Sequence, residues 1–341
     1  MRGRVPALAG LLVTPEGTAN AVISGVRRQG QPEPATLDDL WHIGSCTKAM
    51  TAALYARFVE QGRVRFDTPV ATLCRALAPN MHPDWAGRTA ADVMAHGAGL
   101  TDAAMGVGWL LTARGSRDAL PVQRAALVAK ALERPPARQG AGGFAYANMN
   151  FVLIGAALEA LTGTAWETLV AREIWAPLGM TSGGFGAPTG AEPWGHARAL
   201  FGRVTPVEPD AWADNPAALG PAGTVHVSLP DWARFVRPFL TPARDARGFL
   251  SASSLTTLLT PRVPMTAGEP LSKGGAALGW LVGEAASGER VINHAGSNTV
   301  WLAQVDILPA RERATLVAAN LGPPAADAPV QALARALRQV A

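Results

Sequence analysis

Ser45 and Lys48 stand three residues apart in the stretch WHIGSCTKAM. The apolar run TAALYARFVEQG behind them predicts a helix from about Ser45 to Gln61, so both side chains would project from one helical face. A serine hydroxyl is a poor nucleophile and must lose its proton as it attacks. A lysine, ordinarily protonated up to about pH 10.4, can take that proton only where burial or a neighbouring cation lowers its pKa. Of the 30 basic residues 27 are arginine, and the three lysines are Lys48, Lys130 and Lys273. Arginine does not deprotonate in a protein, so a lysine at this spacing stands out. By itself the pair is weak, because a Ser-x-x-Lys arises by chance in roughly one chain in ten of this composition.

Two further clusters change that weight. FAYANMN carries Tyr146 and Asn148 in a chain with only two tyrosines, the other being Tyr55; a Tyr-x-Asn is about a one-in-twenty coincidence. NHAGSN carries His294, Gly296 and Ser297 between two runs that read as strands. Other nucleophile motifs are missing: no serine has the flanking glycines of G-x-S-x-G, and no lysine follows a glycine as in a phosphate-binding loop.

Together and in this order the three clusters resemble the β-lactamase and penicillin-binding-protein superfamily, in particular the branch of class C β-lactamases, D-alanyl-D-alanine carboxypeptidases and family VIII carboxylesterases. The likeness spans nearly the whole chain. VPALAGLLVTPEG resembles the family's first strand and turn, and GRVRFDTPVATL follows the nucleophile helix as it does there. MAHGAGLTD resembles the His-x-Ser-Gly-Leu loop, with Ala98 in place of the serine, and GPAGTVHVSLPDWARF resembles the Pro-Ala-Gly-Gly segment.

The resemblance implies Ser45 as nucleophile, with Lys48 and Tyr146 sharing base and proton-relay duties as a coupled pair. The nearby lysine would bias Tyr146 toward phenolate. Asn148, His294, Gly296 and Ser297 would bind substrate, and the backbone N–H groups of Ser45 and Ser297 would form the oxyanion hole. No metal or organic cofactor is implied. Where β-lactamases carry Lys-Thr-Gly, this chain has His294, mostly neutral at pH 7, in place of the fixed charge that attracts a substrate carboxylate. The expected function is therefore a serine hydrolase of short acyl esters, with β-lactamase or D-amino-acid peptidase activity as the alternative. A non-hydrolytic penicillin-binding sensor or an acyltransferase of the same fold would need the same three residues.

The elements that must position these groups can be read in outline. Two apolar runs around TPEG predict an N-terminal β-hairpin. Helices follow: LPVQRAALVAKALERPP, the nearly all-apolar NFVLIGAALEAL, TAWETLVAREIWAPLG with a capping box of Thr164 and Glu167, and LPDWARFVRPFL capped by Ser228. From about Gly275 short strand-like runs alternate with turns, and APVQALARALRQV closes the chain as a helix. The predicted fold class is α/β (α+β), a β-lactamase/transpeptidase-like fold with an antiparallel sheet flanked by helices. Residues 1–44 and 245–341 would form a discontinuous sheet-containing subdomain, 45–244 an inserted mainly helical one, with the active site between them.

Composition bounds the remaining possibilities. At 341 residues, 48% hydrophobic and 16% charged, the chain can bury a large core. The net charge of +4 is spread over dispersed arginines, with no basic stripe for nucleic acid. No apolar run reaches membrane-spanning length. Cys46 and Cys74 read as small buried residues, and Tyr55 as packing. His96 would hold its loop, while His42, His82, His196 and His226 default to surface or loop roles. Trp194, Trp212 and Trp301 are candidate pocket walls. The expected partners are small esters, β-lactams or D-peptides. MRGRVPALAGLLV is read as the start of the folded chain. Localisation depends on that start: cytoplasmic if Met1 is native, periplasmic or secreted if a signal was removed. The helix that precedes the first strand in relatives is not seen, which would leave apolar surface for self-association.

Overall fold

A computed structural model describes residues 5–137, 143–199, 202–210, 212–242, 248–265, 272–285 and 287–340. Its strands are β1 (Ala7–Val13), β2 (Thr18–Gly25), β3 (Trp41–His42), β4 (Gly184–Phe185), β5 (His196–Arg198), β6 (Val204–Pro206), β7 (Val225–Val227), β8 (Val263–Pro264), β9 (Ser272–Ala276), β10 (Leu281–Glu284), β11 (Arg290–Ser297), β12 (Leu302–Leu308) and β13 (Arg313–Ala319). Eight form one antiparallel sheet in the order β2-β1-β13-β12-β11-β10-β9-β8. The N-terminal hairpin thus joins the C-terminal strands, with Leu8 opposite Ala319 and Val13 opposite Ala314. The longer helices include α1 (Thr47–Glu60), α2 (Leu120–Leu132), α3 (Met149–Thr162), α4 (Leu229–Val236) and α5 (Asp327–Gln339).

β1 reads ALAGLLV, apolar throughout, because both of its faces are covered. One face belongs to the main core, which holds Leu11, Trp41, Met50, Phe151 and Trp232. The other lies under α5, whose Val330, Ala334 and Leu337 pack on Leu302, Val317 and Ala319. Gly10 permits that approach, since a Cβ there would sit 2.7 Å from Leu333 Cδ2. β2, the sheet edge, is largely exposed and mixes polar residues with small and β-branched apolar ones.

The apolar helix α3 is buried from Met149 to Glu159. α1 is buried almost all round, its alanines allowing neighbours to come close. Ser228 caps α4 by accepting the Asp231 N–H at 3.4 Å. The expected capping box does not form: the helix at Trp166–Val170 starts after Ala165 with no side-chain cap. Glu167 instead turns to Arg124 of α2, whose fully buried guanidinium also meets Glu159 at 2.5 Å and the carbonyls of Ala217 and Ala218. A buried cation needs its carboxylates more than a helix end needs one acceptor, and that decides the competition.

Among the described residues no single helix is long and apolar enough to cross a membrane.

Candidate active site

Ser45 lies in a single 3-10 turn, Gly44–Cys46, that leads directly into α1. The turn is set by backbone contact with β11. Gly44 adopts φ +50°, a left-handed conformation that favours glycine, and a Cβ there would fall 2.4 Å from Ser297 N. A Cβ on Gly296 would lie 2.0 Å from Ile43 O and 2.5 Å from Ser45 N. The two segments therefore meet backbone to backbone. Cys46 points away from the serine face, its Sγ 3.5 Å from His294 O, and burial raises its thiol pKa.

Lys48 is completely buried, with Nζ 2.9 Å from Ser45 Oγ, 2.9 Å from Asn148 Oδ1 and 2.7 Å from Ala222 O. Burial lowers its pKa to about 7, against the nearby Asp102 charge, which raises it. The ammonium donates to all three oxygens; in the neutral amine two N–H bonds serve Asn148 Oδ1 and Ala222 O, and the lone pair is left to accept from Ser45 Oγ–H. Asn148 is fixed in that orientation because its Nδ2 donates to Asp102 Oδ2 at 3.2 Å, while Asp102 Oδ1 accepts the Met149 N–H at the start of α3.

Tyr146 is 46% exposed as a whole. Its hydroxyl end lies deep enough beside Ser45 for burial to hold its pKa above the usual tyrosine value, against a hydrogen bond with Ser45 that lowers it. Burial, against that hydrogen bond, favours the neutral phenol, the opposite direction from the expected bias toward phenolate. Lys48 Nζ lies over the Tyr146 ring, 4.9 Å from its centroid. The ring also stacks on His96 at 4.5 Å. His96 holds the loop: its O accepts the Ala145 N–H, and its Nδ1 accepts from Ala147 N at 3.3 Å and Asn150 Nδ2 at 2.8 Å.

His294 is 4% exposed and donates from Nδ1 to Ala295 O at 2.8 Å. Burial, then the Lys48 charge, push its pKa down to about 4, so it is neutral at physiological pH. β10 pairs with β11 only as far as Asn293, opposite Leu281, which leaves the edge of β11 beyond it open beside Tyr146. A cavity of about 460 Å³ runs from Tyr146 and His294 past Ala295 to Gln331, Arg335 and Arg338 of α5. A larger cavity of about 700 Å³ lies elsewhere, by Gly62, Thr72 and Leu161, and holds none of these groups.

All the predicted site residues, Ser45, Lys48, Tyr146, Asn148, His294, Gly296 and Ser297, thus gather around one junction of α1, α3 and β11. Asp102 was missed although it closes the segment MAHGAGLTD, because its partner Asn148 lies 46 positions further on. His42 and His196 are not surface residues: both are about 1% exposed or less. His196 bridges Asn320 O and the Gln29 N–H, and His42 pairs with Asp214. Of the tryptophans, Trp301 is buried beneath His42, Trp194 stacks under Arg28, and Trp212 is 61% exposed beside Arg114.

A family profile described as Beta-lactamase matches residues 2–339. The chain is similar to penicillin-binding protein 4 of Amycolatopsis lactamdurans, 28% identical over 72% of this chain and 63% of that protein. It spans between 53% and 63% of the length of three curated relatives that it matches. Two solved structures share the fold. An octameric penicillin-binding protein homologue from Pyrococcus abyssi has a TM-score of 0.77, 22% identity, and coverage of 98% of this chain and 74% of that one. A D-stereospecific amidohydrolase from Streptomyces sp. has a TM-score of 0.71, 21% identity, and coverage of 93% and 89%.

Proposed function

We propose, for a chain that belongs to the beta-lactamase family, a serine hydrolase that works through an acyl-enzyme on Ser45. The observation that carries this reading is the buried Lys48, with a pKa of about 7 and Nζ 2.9 Å from Ser45 Oγ. Neutral Lys48 takes the Ser45 proton as Oγ attacks the substrate carbonyl carbon. The resulting oxyanion lies between the N–H groups of Ser45 and Ser297, where each donor is worth about 2.7–4 kcal/mol of barrier. When the tetrahedral adduct collapses, the leaving group departs with the proton from Lys48, relayed through the Tyr146 hydroxyl. A water then attacks the acyl-enzyme, losing its proton to the same relay, and Ser45 regains its proton as the acid is released. A phenol that stays protonated suits a relay, since it gives up one proton as it receives another.

Short acyl esters are the proposed substrates. Neutral His294 at the β11 edge leaves no buried charge unpaired when an uncharged ester binds. A second reading, hydrolysis of D-amino-acid peptides, is favoured by the open edge of β11 beyond Asn293. An extended peptide could pair there through its backbone, and one structural neighbour is a D-stereospecific amidohydrolase.

Intact-protein mass spectrometry during incubation with p-nitrophenyl acetate, a D-alanyl peptide and a cephalosporin tests these readings. An adduct that maps to Ser45, decays with turnover and is lost in Ser45→Ala is expected with the ester. Turnover persisting in Ser45→Ala would overturn the nucleophile assignment. An adduct that never decays would favour a sensor over a hydrolase.

A further inference from the structure

Behind the site a buried polar cluster connects the two backbone segments that meet at Ser45, and the mechanism above leaves it unused. Asp214 is 7% exposed, His42 1% and Asn298 5%. Asp214 Oδ2 accepts from His42 Nε2 at 2.9 Å, and His42 Nδ1 accepts the Gly44 N–H at 3.1 Å. That second bond fixes the tautomer: Nδ1 carries the lone pair, so Nε2 carries the proton. On the opposite side Asp214 Oδ1 accepts from Asn298 Nδ2 at 2.8 Å and from Asn215 N at 2.6 Å. Asn298 is held in turn, its Oδ1 accepting the Trp301 N–H at 3.3 Å. Trp301 closes the loop by stacking on the His42 ring at 5.5 Å.

We propose that Asp214 is a positioning residue for the oxyanion site, clamping Gly44 through His42 and Ser297 through Asn298. The proposal rests on the reading of Ser45 as nucleophile. Gly44 immediately precedes the Ser45 donor, and Asn298 immediately follows the Ser297 donor. One carboxylate therefore ties the supports of both N–H groups, 252 positions apart between Ser45 and Ser297 in the chain. Every bond it receives comes from a donor: an imidazole N–H, an amide NH₂ and a backbone N–H. Such a group cannot be replaced by its isosteric amide. In Asp214→Asn the new NH₂ faces either His42 Nε2–H or the Asn298 and Asn215 donors. In the first case His42 must move its proton to Nδ1, where it opposes the Gly44 N–H; in the second Asn298 is released. Either way the disturbance reaches one of the two oxyanion donors.

The test compares Asp214→Asn and Asn298→Ala with the parent and with Ser45→Ala. Rates on p-nitrophenyl acetate are divided by the active-site concentration from the burst amplitude, which removes any loss of folded protein. A phenylboronic acid, which forms a tetrahedral anionic adduct on a serine, reports the oxyanion site separately. Asp214→Asn and Asn298→Ala are each expected to lose about 10–100-fold in kcat per titrated site and a similar factor in boronate affinity. This is less than the 10²–10³ for deleting a donor, because the donors are displaced and not removed. KM is expected to stay within about threefold. A purely structural role would lower the melting temperature and the burst amplitude while leaving kcat per site and boronate affinity unchanged; that outcome overturns the clamp. If Asp214→Asn does not fold, Asn298→Ala, which removes one arm only, decides the matter. Activity surviving in Ser45→Ala would overturn the nucleophile reading and the clamp with it, whereas an inactive Ser45→Ala beside unaffected clamp variants overturns the clamp alone.

Discussion

The state of Lys48 makes the most exposed prediction. Burial brings its pKa from 10.5 to about 7, a depression of about 5 kcal/mol at 1.36 kcal/mol per decade. Only the neutral amine can accept the Ser45 proton. About half the molecules are competent at pH 7, about a tenth at pH 6 and nearly all above pH 8. No other group at the site interferes in this range, since His294 titrates near 4, His96 well below its ordinary value, and Tyr146 above its own. The pH dependence of kcat/KM, which reports the free enzyme, is expected to rise tenfold per pH unit up to about 7 and then level off. Stopped-flow release of p-nitrophenolate, followed at its isosbestic wavelength from pH 5 to 9, measures it. Lys48→Arg keeps a cation at this position, but the guanidinium, with a pKa above 12, is neutral in fewer than about one molecule in 10⁵ at pH 7. Its acylation rate is expected to fall by at least about 10³. A flat profile, a limb near pH 10, or an arginine variant retaining a tenth of the activity would refute deprotonation of Lys48 as the reason for a lysine here.

Asp102→Asn removes the charge that raises the Lys48 pKa, so the acid limb should move to lower pH while the plateau drops, as Asn148 loses its anchor; a limb moving upward would contradict the assignment. Gly296→Ala inserts a Cβ 2.0 Å from Ile43 O and 2.5 Å from Ser45 N, and more than about a hundredfold loss of acylation is expected on the scale of one oxyanion donor. Lys48→Met bears on stability. Between pH 7 and 10.5 the unfolded chain holds a proton on this lysine that the folded one lacks, so stability rises with pH across that window and the cost of burial is fully present below it. The methionine variant should therefore have the higher urea midpoint at pH 6, and a lower one would refute the burial penalty. Arg124→Ala leaves Glu159 and Glu167 without their buried cation, and a loss of about 3–5 kcal/mol is expected by urea denaturation.

What could be read ahead of the structure was local or scarce. Ser45 and Lys48 share one turn, Tyr146 and Asn148 one loop, and His294 to Ser297 one strand, and each cluster carries its pattern within a few residues. Scarcity sharpened this: three lysines and two tyrosines made the coincidences improbable. The apolar periodicities of α3 and of β11 to β13 were equally visible, because burial on one or all faces dictates the residue at every position. Thr164 and Glu167 show the limit of such reasoning. Their spacing is right for a capping box, but Arg124, over forty positions upstream, offers Glu167 a stronger partner.

The Asp102 and Asp214 networks were invisible for the same reason carried further. His42 meets Asp214 172 positions away, and Asp214 meets Asn298 across another 84; no window on the sequence contains the pair. Their residue types are ordinary, so scarcity does not mark them either. Yet the chemistry proposed for the visible motif draws on them. Lys48 reaches a pKa of about 7 because burial overcomes the pull of Asp102, and Asp102 cannot be dispensed with because it orients the Asn148 oxygen that receives a Lys48 N–H. One carboxylate therefore raises the pKa of the base and also aims its lone pair at the serine. On the proposed proton transfer over 2.9 Å, a deeper depression without Asp102 would leave more neutral lysine but lose its direction, which is why the plateau of Asp102→Asn is expected to drop even as its acid limb moves down.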